Sequence, residues 1–201
     1  MDDLAHLADL LRTRNGIDSE IARIIGRPLV AGHMGEWVAS RIFDVELHTS
    51  ATNRGSDGRF RSGPLAGQTV NVKWPMRHNG LLDIKDDPSL DYFLVLTGPP
   101  VPPSSSRGMS WAWCVQTVFL FDAPKLIQQQ RARGVQLGAA SSVTKRQWDA
   151  AEIYPQARNT AMRLSPDQLA MLKLLQPDVM LATDLNSAAQ PAALTVATPG
   201  S

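Results

Sequence analysis

The chain has one cysteine in 201 residues, no strong excess of either charge and no apolar run approaching membrane length. Cys114 alone can form neither an internal disulfide nor a cysteine cage for zinc. Within the apolar run from Trp111 to Phe121 it reads as a small buried hydrophobe without chemistry of its own. Twenty Lys and Arg against 19 Asp and Glu leave a net charge of +1, so a uniformly basic nucleic-acid-coating protein is excluded and any such contact must rest on local clustering. Without a basic segment leading into an apolar stretch, neither a signal peptide nor a membrane span is expected, and the cytoplasm is the expected compartment.

With 43% hydrophobic residues, the chain can bury a proper core. Leu4, Leu7, Leu10 and Leu11 recur at helical spacing, and after Asn15-Gly16 a second short helix is expected from Asp18 through Ile21, Ile24 and Ile25 to Gly26. A further helix is expected from about Gly32, with Glu36 in its first turn, where the helix dipole favours an acid. Val45 to His48 alternates as a strand, Thr49 to Ser56 reads as a turn, and Asp57 opens the next strand. In Gln68 to Trp74, Val70, Val72 and Trp74 share one face and Asn71 and Lys73 the other, which is read as the face away from the core.

Tyr92 to Leu96 and Ala112 to Phe121 are nearly continuous apolar runs, as expected of strands covered on both faces. Asp122 is placed to cap a helix that ends before Gly134. Ser165, Pro166 and Gln168 form the start of another. Pro99 to Arg107 reads as an inserted loop, residues 134 to 163 could face a ligand or the core, and the composition from 181 to 201 is that of a disordered tail. The expected layout is an N-terminal helical segment over residues 1–30, an α/β domain over 31–180 with a central mixed sheet flanked by helices, and the tail.

Asp57-Gly58-Arg59-Phe60 followed by Val70-Asn71-Val72-Lys73-Trp74 resembles the paired half-motifs of the PD-(D/E)xK nuclease superfamily, the restriction-endonuclease-like fold, and within it the Mrr-like branch that tolerates an amide in the second half-motif. Asp57, Asn71 and Lys73 match the three motif positions, and Glu36 matches the extra acid carried on the preceding helix. Asn71 stands where an acid is usual. The resemblance spans roughly Gly32 to Phe121 and implies an endonuclease that hydrolyses DNA with Mg²⁺, or Mn²⁺ in its place, held by Asp57, Asn71 and Glu36, with no membrane partner and room for a homodimer.

That chemistry has independent reasons. A hard cation needs oxygen donors, at least one of them charged. A lysine two residues from a ligand shares its strand face and can stabilise charge on a phosphoryl group. Arg54, Arg59, Arg61 and Arg77, with Lys73 and Lys85, form a candidate phosphate-contacting surface, against the acids Asp57, Asp83, Asp86 and Asp87 in the same stretch. Plainer readings exist for each residue. Asp57-Gly58 suits a tight turn, Asn71 and Lys73 suit the wet face of an edge strand, and Glu36 suits a surface acid. His78 reads as solvated, His33 as a capping or packing residue, and Trp111 and Trp113 as core or interface residues. The alternative to an enzyme is a catalytically degenerate nucleic-acid-binding or partner-binding protein on the same fold.

Overall fold

The computed structural model describes residues 2–49, 55–76, 78–100 and 113–177. Arg54, Arg77, Trp111, most of the expected loop after Pro99 and the expected tail lie outside the described residues. Six strands build one mixed sheet in the order β1 (Val45–Leu47), β2 (Gly58–Phe60), β3 (Thr69–Lys73), β5 (Tyr92–Thr97), β6 (Thr117–Asp122) and β8 (Glu152–Tyr154). Neighbours run antiparallel except β3 and β5, which are parallel, with Asn71 opposite Phe93 and Lys73 opposite Val95. A two-stranded sheet joins β4 (Leu81–Leu82) to β7 (Ser141–Ser142).

Because side chains alternate along each strand, the sheet carries two apolar layers. Val70, Val72, Leu94, Leu96, Val118 and Leu120 meet α2 (Ala31–Ile42) and Leu172 of α5 (Pro166–Leu174). Phe93, Val95, Phe119 and Phe121 meet α3 (Ala123–Ala132) and α4 (Lys145–Ala151). The expectation of a sheet flanked by helices holds. Residues 134–163, left open by the sequence, supply the buried Trp148, Ala151, Ile153 and Tyr154 to these layers.

The helix caps follow local chemistry. Asp122 accepts the N–H of Lys125 at 2.8 Å, and Ser165 and Gln168 form a reciprocal capping box. Two expectations need correction. The two N-terminal helices are one, α1 (Asp2–Ile25), because Gly16 costs a helix only about 1 kcal/mol and nothing near it ends the hydrogen-bond ladder. The strand expected from Ala112 begins only at Thr117, since Val115 donates its N–H to Leu175 at the end of α5 and so leaves the sheet. Among the described residues, no helix is long and apolar enough to cross a membrane.

Candidate metal and phosphate site

β3 lies between β2 and β5 and so is not an edge strand, and on the face that Asn71 shares with Lys73 the Asn71 side chain is buried while Lys73 is partly buried. Asn71 is only 3% exposed, which overturns both the face assigned to it and the edge-strand reading. Its Nδ2 donates to the carbonyl of Gly55 at 3.1 Å. Its Oδ1 is buried and has no hydrogen-bond partner among the described residues. An orphaned buried acceptor of this kind costs about 1–3 kcal/mol, which favours a donor or cation facing it.

Asp57 sits where β2 begins. Its N–H donates to Val70 at 2.8 Å, and its Oδ2 accepts the N–H of Val72 at 2.7 Å, so the side chain stands in for a strand that has not yet formed. Among the described residues, its other carboxylate oxygen has no hydrogen-bond donor. Burial pushes the Asp57 carboxyl above its usual range, and the Glu36 charge adds to that push. The Val72 N–H and the charges of Lys73 and Lys85 oppose it without reversing it.

Glu36 reaches the site because α2 lies close on β3. Gly35 is buried there, and a Cβ at that position would stand 3.3 Å from Trp74 Cβ and 3.5 Å from Val72 Cγ1. The expectation that Glu36 occupies the first helical turn is corrected: α2 starts at Ala31, which places Glu36 in the second turn. Arg27, rather than the helix dipole, balances its charge through an ion pair.

The Lys73 side chain is 17% exposed, and its Nζ meets Asp83 Oδ2 at 2.8 Å. Asp83, Lys85 and Gly55 are therefore members of the site that the motif does not mark. Asp83 and Lys85 come from the segment after β4, with no local signal pairing them to a strand residue. Gly55, at a φ of 115°, holds a conformation that favours glycine, and its place in the polar turn was visible. His48 also joins the rim, with its N–H on the Asp57 carbonyl at 2.9 Å and its Nε2 3.0 Å from Ser56 Oγ.

The two candidate arginines that are described, Arg59 and Arg61, are already engaged. Arg59 donates to the Gly67 carbonyl at 2.8 Å, and Arg61 Nε donates to Asp44 Oδ1 at 2.8 Å. Arg59 is exposed two residues along β2 from Asp57, whereas Arg61 is bound to the Asp44 corner that precedes β1. His78 is not simply solvated. Its ring packs 4.5 Å from that of Trp148 and 5.2 Å from that of Phe119, and burial lowers its pKa. His33 bonds the Pro28 carbonyl, Trp113 packs edge-on against Trp74, and burial pushes the Cys114 thiol up.

Asp57 lies against β3, and the charges of Glu36 and Lys73 both reach it. The helix α2, which carries Glu36, packs on the Val72 and Trp74 face, opposite the face that bears Asn71 and Lys73. The donor set is two acids and an amide, and among the described residues no cluster of three His, Cys, Asp or Glu side chains is placed to hold a metal. Hard oxygen donors, one of them an amide oxygen without a partner among the described residues, fit a cation such as Mg²⁺ better than a soft metal. The chain matches no known protein family and no curated protein.

Proposed function

We propose that the chain is a restriction-endonuclease-like, Mg²⁺-dependent nuclease that hydrolyses DNA phosphodiester bonds. The observation that carries this reading is the buried Asn71 Oδ1, without a partner among the described residues, together with a partly buried Asp57 carboxyl held above its ordinary pKa. Both features describe a site short of positive charge. The order of the elements adds support: the acid stands on α2, Asp57 at the mouth of β2, and the amide and lysine on β3, as the motif resemblance requires.

In this reading Asp57 and Asn71 offer one oxygen each to the cation, and Glu36 holds a water in the outer shell. A bound Mg²⁺ supplies acidification of water and neutralises charge on the phosphate. Lys73 exchanges the Asp83 carboxylate for a phosphate oxygen and stabilises the charge that develops there. Arg59, two residues along β2 from Asp57, contacts the backbone, as do Arg54 and Arg77.

Plasmid cleavage in Mg²⁺ or Mn²⁺ by the full chain tests the reading against Asp57→Ala and Lys73→Ala. Activity in the wild type that falls by 100-fold or more in both variants, as about 3 kcal/mol of lost stabilisation would give, supports it. Equal cleavage by all three proteins removes it.

A second reading has its own observation. Arg27 already neutralises Glu36 and Asp83 already neutralises Lys73, which suits a site that binds nucleic acid or a partner without cutting. Calorimetry separates the two: metal binding lost in Asp57→Ala favours the nuclease, and salt-sensitive DNA binding indifferent to metal favours the binder.

A further inference from the structure

Among the described residues, the helix α1 carries a long apolar stripe without a partner. Leu7, Leu10, Arg14, Ile17, Ile21 and Ile24 follow one another at intervals of 3, 4, 3, 4 and 3 residues, the spacing of a coiled-coil seam. Leu7 is 51% exposed, Leu10 53%, and Ile17 and Ile24 each 56%. The helix meets the rest of the chain chiefly at α2, where Ile21, Ala22 and Ile25 are partly buried. Its first half, with Leu4 and Leu11 also exposed, stands clear. A soluble helix that presents an apolar seam over roughly 26 Å normally covers it.

We propose that α1 pairs antiparallel with α1 of a second copy of this chain. The stripe is self-complementary in that direction. Leu7 falls opposite the partner's Ile24, Leu10 opposite the partner's Ile21, and Ile17 opposite the aliphatic stem of the partner's Arg14. A single register therefore matches every apolar position with an apolar surface.

Arg14 fixes the direction. It is the one charged residue in the seam, and a parallel, in-register pair would set it against its own copy. The antiparallel pair staggers the two guanidinium groups, and each keeps the Asp18 carboxylate of its own helix 3.5 Å away. The antiparallel arrangement also lays opposed helix dipoles side by side and brings Asp3 near the partner's Arg27. Two such stripes remove roughly 1,000 Å² from water, at the lower end for a specific interface, so a dimer that dissociates at micromolar concentration is expected.

Sedimentation of the full chain over roughly 1–100 µM tests the proposal, because that range brackets the expected dissociation constant. The wild type should pass from 21.9 kDa to twice that mass as concentration rises. Leu10→Glu, which keeps helix propensity, should stay monomeric with unchanged circular dichroism, while Arg12→Ala on the opposite face should dimerise normally. Direction is read by oxidation: Leu7→Cys with Ile24→Cys in one chain should give a covalent dimer, and Leu7→Cys alone should not. A wild type monomeric throughout, with or without affinity for vesicles or another protein, overturns the proposal. So does a dimer that survives Leu10→Glu, or one cross-linked by Leu7→Cys alone.

Discussion

Asp57 is tied to β3 on both sides of Asn71, through the Val70 carbonyl at 2.8 Å and the Val72 N–H at 2.7 Å. The acid and the amide therefore keep their relation through the backbone and do not depend on each other's rotamers. The Asp57 side chain is held by the Val72 N–H and the Asn71 side chain by the Gly55 carbonyl. A site built this way holds its oxygens in place before any ligand arrives, which lowers the cost of binding one.

The Asp57 carboxyl should trade stability for function. In the unfolded chain it titrates near ~3.9, and in the fold its pKa is higher. Between those values the native state keeps a proton that the unfolded chain has lost, so native stability falls as pH rises through the window and stays lower above it. Asp57→Asn keeps an acceptor for Val72 and removes the charge. Its Tm at pH 7 should exceed that of the wild type, with each kcal/mol gained appearing as roughly 2–4 °C, and the two proteins should converge in acid. Mg²⁺ or Mn²⁺ should raise the Tm of the wild type alone, and an equal rise in both would show that Asp57 is not a ligand.

Asn71→Asp supplies the acid that is usual at this motif position. Without metal, a carboxylate buried at position 71 on the strand that Asp57 is tied to should cost about 2 kcal/mol or more, seen as a lower Tm at neutral pH. Titration with Mn²⁺ should show tighter binding than in the wild type. A variant neither destabilised nor tighter would mean that the Asn71 oxygen does not face the cation.

Asp83→Ala frees Lys73 from its carboxylate. The pair is partly exposed, so stability should change by less than about 1 kcal/mol. Affinity for a short DNA duplex should rise and its salt dependence steepen, since one more cation becomes available to phosphate. An unchanged salt slope would mean that Lys73 does not reach the backbone.

Gly35→Val should separate α2 from β3. Its Cβ would already crowd Trp74 and touch Val72, and the added methyl groups raise the cost to about 1–3 kcal/mol. Displacing α2 withdraws Glu36 from Asp57, so metal affinity should weaken along with stability. Loss of stability with intact metal affinity would remove Glu36 from the site.

What could be read from the sequence was what local chemistry decides. Asp122 and Ser165 cap their helices as their neighbours demand, and alternation separated Val70 and Val72 from Asn71 and Lys73 correctly. Alternation reports which residues share a face and not what covers that face. The burial of Asn71 comes from β5 alongside and the Phe93 layer, both distant in sequence. The partnership of Lys73 with Asp83 is hidden for the same reason. The Thr144 and Gln147 capping box, by contrast, was present as a local pattern in a segment otherwise left unassigned. Gly16 misled because a single glycine interrupts a helical pattern on paper more than it does in a long helix.

The capping box of α5 does more than start that helix. While the Gln168 carbonyl oxygen accepts the Ser165 N–H, its Nε2 donates to the Ile42 carbonyl at 2.7 Å, across 126 residues, and fastens the last turn of α2. The helix that delivers Glu36 is thus latched by nearly the last described element. During synthesis the ribosome releases all of β1 to β8 before that latch exists, so a nascent chain stopped short of Gln168 carries every strand of the sheet with α2 unlatched. The position of the helix that carries Glu36 thus depends on a residue translated after every strand of the sheet.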